Sequence, residues 1–143
     1  MSRLVFLIVW CGLIFISTCS ASLENFLEHG ILHFNWTGYP SYSDLLNPMP
    51  TTLSLAFLWR KLGHAFVFFF LTAALFLLKR NLTFSGLAAF SFAVSTEILQ
   101  LFFARDGRLF DVAFDSFGVV LALILLAVIH MSKKRTEKVP LDE

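Results

Sequence analysis

Lys61-x-x-His64, Glu97-x-x-Gln100 and Asp111-x-x-x-Asp115 are the groups whose types and spacing could carry chemistry in this chain. Arg105 and Arg108 stand between the second and third groups. Side chains three or four apart share a helical face, so each group makes one polar stripe if its segment is helical. All of them lie in or beside apolar runs. An ionisable group at membrane depth is costly, so it is paired inside the protein or marks a working site. In chemical terms His64 is a candidate acid/base, Glu97 or Asp111 would orient it, and Arg105 or Arg108 would hold an anion. No nucleophile motif and no metal-ligand set is evident, so no catalytic residue, metal or cofactor is assigned. His29 and His33 are four apart, but Gly30 lies between them and a third ligand is missing, so they read as loop histidines.

The elements that position these groups are apolar runs. The chain has 57% hydrophobic and 15% charged residues, too apolar for an ordinary soluble domain, so the membrane-protein class leads. Net charge is +1 with no basic patch, which argues against a nucleic-acid partner. A single domain over 1–143 is expected, an all-α polytopic membrane bundle of four transmembrane helices. Their bounds are about 4–19, 60–78, 82–104 and 110–131. Residues 132–143 form a polar tail.

The first run, Leu4 to Ser17, follows Arg3 and precedes small residues near Ala21, so a cleaved signal peptide competes with a retained helix. Retention is preferred because later apolar runs could pack against it. Cys11 and Cys19 would stand ~12 Å apart on that helix, too far for a disulfide. Residues 20–59 form a loop with Glu24, Glu28 and Asp44 but no Lys or Arg before Arg60. Within it, Leu23, Phe26 and Leu27 suggest one or two amphipathic turns ending near Gly30. Thr52 to Trp59 reads as an interfacial segment, and Arg60 and Lys61 as the start of the second helix. The short 105–108 connection makes the third and fourth helices an antiparallel hairpin.

Orientation follows from basic residues in short loops. Arg3, Lys79, Arg80, Lys133, Lys134, Arg135 and Lys138 fall on one side; Arg60, Lys61, Arg105 and Arg108 fall on the other. The larger group belongs inside. Both termini are therefore expected in the cytoplasm, with 20–59 as an outer loop. This topology brings the three polar stripes to one outward-facing depth, Glu97 about 10 Å below the helix end. Glu97 is expected to pair across helices with Lys61 or Arg105. Gly118, one turn beyond Asp115, would allow close helix packing.

Arg60-Lys61-x-x-His64, Glu97-x-x-Gln100 and Arg105-x-Gly107-x-x-x-Asp111-Val112-x-x-Asp115-x-x-Gly118, in this order, resemble the VanZ-like family of small bacterial membrane proteins. The resemblance covers roughly residues 4–131. It implies a multi-pass protein of the bacterial cell membrane with a role in the cell envelope. The family namesake is associated with low-level resistance to teicoplanin, a lipidated glycopeptide antibiotic. The resemblance therefore points to antibiotic resistance through the cluster of Lys61, His64, Glu97, Gln100, Arg105, Arg108, Asp111 and Asp115. Membrane lipids and a lipid-linked or lipid-tailed ligand are the implied partners. An intramembrane enzyme acting on a lipid headgroup or lipid-linked cell-wall precursor is the alternative, and a purely structural role for the cluster is a third.

Overall fold

In the computed structural model, which describes residues 2–52 and 54–136, the chain enters each of its first four helices through a side-chain cap. Ser2, Ser22, Ser54 and Asn81 accept hydrogen bonds from the backbone N–H three residues on, satisfying donors that a helix start leaves orphaned. The helices are α1 (Arg3–Cys19), α2 (Leu23–His29), α3 (Leu55–Lys79), α4 (Leu82–Phe102) and α5 (Leu109–Thr136). A short 3-10 turn, Tyr42–Leu46, lies between α2 and α3. The described residues contain no strand. Gly30 ends α2 in the left-handed region at φ +68°, where its N–H reaches Phe26 O at 3.0 Å. The amphipathic turns expected before Gly30 are thus present as α2.

Three helix bounds differ from the sequence expectation. α3 begins at Leu55, not near 60, so residues 55–59 of the segment read as interfacial belong to this helix. Arg60 and Lys61 looked like a water boundary. Lys61 is in fact buried against an acid on another helix, and the apolar run continues past it. α4 stops at Phe102 because Ala104 turns into the left-handed region at φ 51°. The N–H groups of Phe103 and Arg105 both close onto Gln100 O there. α5 runs through the basic residues to Thr136, so the start of the expected tail is helical. The rest of that tail, 137–143, lies outside the described residues.

α3 and α5 make the most extensive helix pair, α4 packs on both, and α1 lies mainly against α3. Small residues let the backbones approach, as lipid-embedded bundles require. A Cβ at Gly118 would stand 1.9 Å from Ala65 O, so α5 meets the α3 backbone directly. Ala89, Ala93 and Ala122 are fully buried. Ile14, Phe68, Leu71, Leu75, Val112 and Val119 complete the core. α1 is held by Trp10, whose indole N–H donates to Val67 O at 3.2 Å. At one end of the bundle Arg3 donates to Leu77 O.

Leu121, Ile124, Leu125, Val128 and Ile129 are exposed along α5, an apolar surface suited to lipid. Among the described residues, three helices are long and apolar enough to cross a membrane: Leu55–Lys79, Leu82–Phe102 and Leu109–Lys133. α1 is apolar but has 17 residues, about 25 Å of helix against a hydrocarbon core of ~30 Å. Of the four transmembrane helices expected, three thus have full membrane length and the first is a shorter apolar helix.

Candidate functional site

The site forms at the end of the bundle where α1 and α4 finish and α3 and α5 begin. α3 contributes Lys61 and His64 from one face, and α5 opposes them with Asp111 and Asp115. The spacing of three on α3 matches four on α5 closely enough for two rungs between the helices. Lys61 Nζ meets Asp111 Oδ1 at 2.5 Å, both side chains about nine-tenths buried. One turn deeper, His64 Nδ1 lies 3.2 Å from Asp115 Oδ1. Gly118 makes this register possible, because the backbone contact with Ala65 sets the distance between the two helices.

Glu97 approaches from α4 and is only 1% exposed. Gln100, one turn on, donates to Glu97 Oε1 at 2.7 Å. Glu97 Oε2 accepts the backbone N–H of Arg108 at 2.8 Å. The α4–α5 turn thus folds back over α4. Gly107 permits this, since a Cβ there would fall 2.1 Å from Glu97 O. The expected partners of Glu97 are corrected here. Lys61 is taken by Asp111, and Arg105 donates to Ala21 O at 3.0 Å, tying the turn to the end of α1. Glu97 is satisfied by neutral donors instead. The acid hydrogen-bonded to His64 is Asp115, where the sequence suggested Glu97 or Asp111; Glu97 lies close by without bonding the ring.

These groups surround a cavity of about 790 Å³. Its basic lining comes from Arg60, Lys61, Arg105 and Arg108, its acidic lining from Asp106 and Asp111. Ile14, Phe57, Val67 and Phe68 supply an apolar wall, and His64 and Gln100 also face it. Arg108 reaches the exposed carboxylate of Asp106 at 3.1 Å, while its Nε is buried without a hydrogen-bond partner. Asp115 and Glu97 lie behind the lining. Asp115 has no exposed surface, and its Oδ2 has no partner either.

Of the singled-out residues, Lys61, His64, Gln100, Arg105, Arg108 and Asp111 line the cavity, and Glu97 and Asp115 back it. Sequence reasoning missed Ser17, Thr18 and Pro50, which also line it. The hydroxyls ending the first apolar run were the available signal. The aromatic collar was missed too. Phe34 and Trp36 of the long loop stack around Phe15, Phe102 and Phe103 with ring centroids 5.4–5.8 Å apart, and Thr37 N–H bonds Phe102 O. The collar fastens the loop beside the cavity and contributes ~0.5–1.5 kcal/mol per ring pair. Spacing offered no metal-ligand set, yet one potential ligand atom each from His64, Glu97 and Asp115 lie within 4.8 Å of one another.

Comparison with known proteins supplies the rest. The profile of the VanZ/LLP1 family matches residues 3–130. The chain is also 36% identical over 121 residues to a protein of Bacillus subtilis (strain 168) described as uncharacterized membrane protein YwnJ. That match covers 83% of this chain and 85% of the relative. No solved structure matches significantly.

Proposed function

The chain belongs to the VanZ/LLP1 family of membrane proteins, and on that premise we propose that its cavity takes the anionic headgroup of a lipid-linked or lipid-tailed molecule at the outer face of the bacterial cell membrane. The observation that carries this reading is the cavity's make-up. A basic lining from Arg60, Arg105 and Arg108 adjoins an apolar wall from α1 and α3. Guanidinium groups recognise phosphate and carboxylate by paired, charge-assisted hydrogen bonds. The wall accommodates the first part of an acyl chain.

Placement at the outer face is supported by charge. Arg3, Lys79, Arg80 and Lys133 gather at the bundle end opposite the cavity, where the positive-inside rule puts the cytoplasm. α1 is retained as a fourth, short span in this reading. Its support is the Ile14 side chain in the core and the Trp10 bond to Val67. Both termini then face the cytoplasm.

Such a protein raises tolerance to teicoplanin-like lipoglycopeptides. A lipid-tailed drug inserts at the depth of the cavity, whereas vancomycin has no tail to place there. The test is susceptibility to both drugs in cells expressing wild type, His64→Ala, Glu97→Gln or Asp111→Asn at matched membrane levels. Protection against teicoplanin that exceeds protection against vancomycin, and is lost in the variants, supports the reading. Equal protection by all four proteins assigns the cluster a structural role, and no protection by wild type removes the resistance reading.

An intramembrane enzyme acting on a lipid headgroup is the second reading. It rests on His64, which faces the cavity with its Nδ1 against the buried Asp115, an oriented acid/base pair. A chemically altered lipid recovered after incubation with wild type, and not with His64→Ala, favours it.

A further inference from the structure

We infer that His64, Glu97 and Asp115 form a binding site for one divalent transition-metal ion, of the zinc type, at the floor of the cavity. The inference does not depend on what the cavity above it binds.

Three observations converge. First, three helices each present one donor. His64 comes from α3, Glu97 from α4 and Asp115 from α5, with the ligand atoms within 4.8 Å of one another. Donors around a tetrahedral ion with bonds of ~2.1 Å stand about 3.4 Å apart, so small side-chain rotations close the shell. Second, Asp115 Oδ2 is buried, on a side chain with no exposed surface, and no donor meets it. A buried carboxylate oxygen without a partner calls for one. Glu97 does not provide it, because its two oxygens are engaged by Gln100 and the Arg108 backbone.

Third, no lysine or arginine side chain pairs with Glu97 or Asp115 among the described residues. Glu97, Asp111 and Asp115 are all buried, and the one buried lysine among the described residues is committed to Asp111. Arg108 sends its guanidinium to Asp106 and offers Glu97 only its backbone N–H. Glu97 and Asp115 thus lie close together, with the His64 imidazole beside them. A dication neutralises both.

The donor set selects the class of ion. One imidazole with two carboxylates suits zinc or manganese, whereas calcium and magnesium prefer oxygen shells with more members. Three protein ligands leave a coordination position open. His64 lines the cavity and is partly exposed, so the ion is reachable from there and its open position faces the cavity. Glu97 keeps its hydrogen bonds from Gln100 and Arg108, which orient the carboxylate as outer-shell groups do for metal ligands. Bound to residues on α3, α4 and α5, the ion also cross-links the bundle.

The experiment uses the full chain purified in detergent without a polyhistidine tag. Protein is stripped with a chelator, offered Zn²⁺ or Mn²⁺ alone, desalted and assayed by elemental mass spectrometry and thermal unfolding. Wild type should retain about one Zn²⁺ per chain and unfold at least ~3 °C higher than the stripped protein. Asp115→Asn and Glu97→Gln should bind more than about a hundredfold more weakly, beyond the loss typical of an outer-shell change. His64→Gln, which leaves both acids in place, gives a third comparison. Asp115→Asn should also unfold at a temperature independent of Zn²⁺ while eluting as wild type does in size exclusion. His29→Gln/His33→Gln, on the exposed loop, should bind as wild type does.

Any of three results overturns the site. Wild type retains no Zn²⁺ or Mn²⁺, the three site variants bind as well as wild type, or uptake disappears in His29→Gln/His33→Gln. Lipid binding that persists in metal-free protein leaves the headgroup reading intact, and metal uptake without lipid binding leaves this one intact.

Discussion

Replacing Gly118 with alanine should part the two helices that build the site. A Cβ at this position would stand 1.9 Å from Ala65 O, 2.7 Å from its carbonyl carbon and 3.0 Å from its Cα. All three are backbone atoms of α3, so no side chain can swing aside. Restoring a 3.4 Å contact to the oxygen requires about 1.5 Å of separation, if the motion runs along that line. The His64–Asp115 contact, 3.2 Å in the wild type, would then exceed hydrogen-bonding range, and the Lys61–Asp111 pair would loosen. Overpacking costs about 1–3 kcal/mol, and the two weakened rungs add roughly 0.6 kcal/mol each on the scale of membrane hydrogen bonds. A loss of about 2–4 kcal/mol and a fall in midpoint of at least ~5 °C are expected. Thermal unfolding in detergent measures it against two comparison substitutions. Gly86→Ala meets the flexible end of Leu123 at 2.9 Å, so its cost should be smaller. Gly12→Ala meets nothing within 4 Å and should be neutral or stabilise by up to ~1 kcal/mol through helix propensity. If Gly118→Ala unfolds at the same temperature as Gly12→Ala, the close α3–α5 contact and the rungs it sets are wrong.

Three further outcomes follow from the same geometry. A double-mutant cycle on Lys61→Gln and Asp111→Asn should show coupling of about 1 kcal/mol, whereas Lys61→Gln and Glu97→Gln should add within ~0.5 kcal/mol because the two residues are not partners. Additivity of the first pair in detergent unfolding would refute the buried ion pair. Single cysteines at Ser43 and Ser132, in a Cys11→Ser/Cys19→Ser background, report topology: an impermeant thiol reagent should label position 43 in intact cells and spare position 132. The reverse pattern inverts the protein in the membrane. Susceptibility to teicoplanin should rise in His64→Ala relative to wild type, with a smaller change for vancomycin, in the series described above.

The helices from residue 82 onward were legible because their apolar length and the short turn leave few alternatives. The polar stripes were legible for a similar reason, since Glu97 with Gln100 and Asp111 with Asp115 follow helical spacing. Partner choice was not. Whether Lys61 meets Glu97 or Asp111 depends on the rotation and depth of α3 against α5, which the contact between Gly118 and Ala65 sets. Sequence identifies the glycine but not its counterpart. Arg60 and Lys61 misled the start of α3, because a lysine neutralised inside the bundle looks the same in sequence as one in water. The His64, Glu97 and Asp115 grouping was invisible because each comes from a different helix, without the local spacing that reveals a metal motif.

Retention of anionic lipid by purified protein tests the central claim most directly. Wild type and Arg108→Gln would each be equilibrated with mixed micelles of phosphatidylglycerol and phosphatidylcholine and read by native mass spectrometry. Arg60→Gln, at the cavity lining outside the buried pairs, gives a second arm. Wild type should retain phosphatidylglycerol in preference to phosphatidylcholine. Arg108→Gln should bind it roughly tenfold more weakly, as expected for losing a charge-assisted hydrogen bond. Equal retention of the two lipids by wild type, or undiminished phosphatidylglycerol in both variants, would contradict a headgroup site in this cavity.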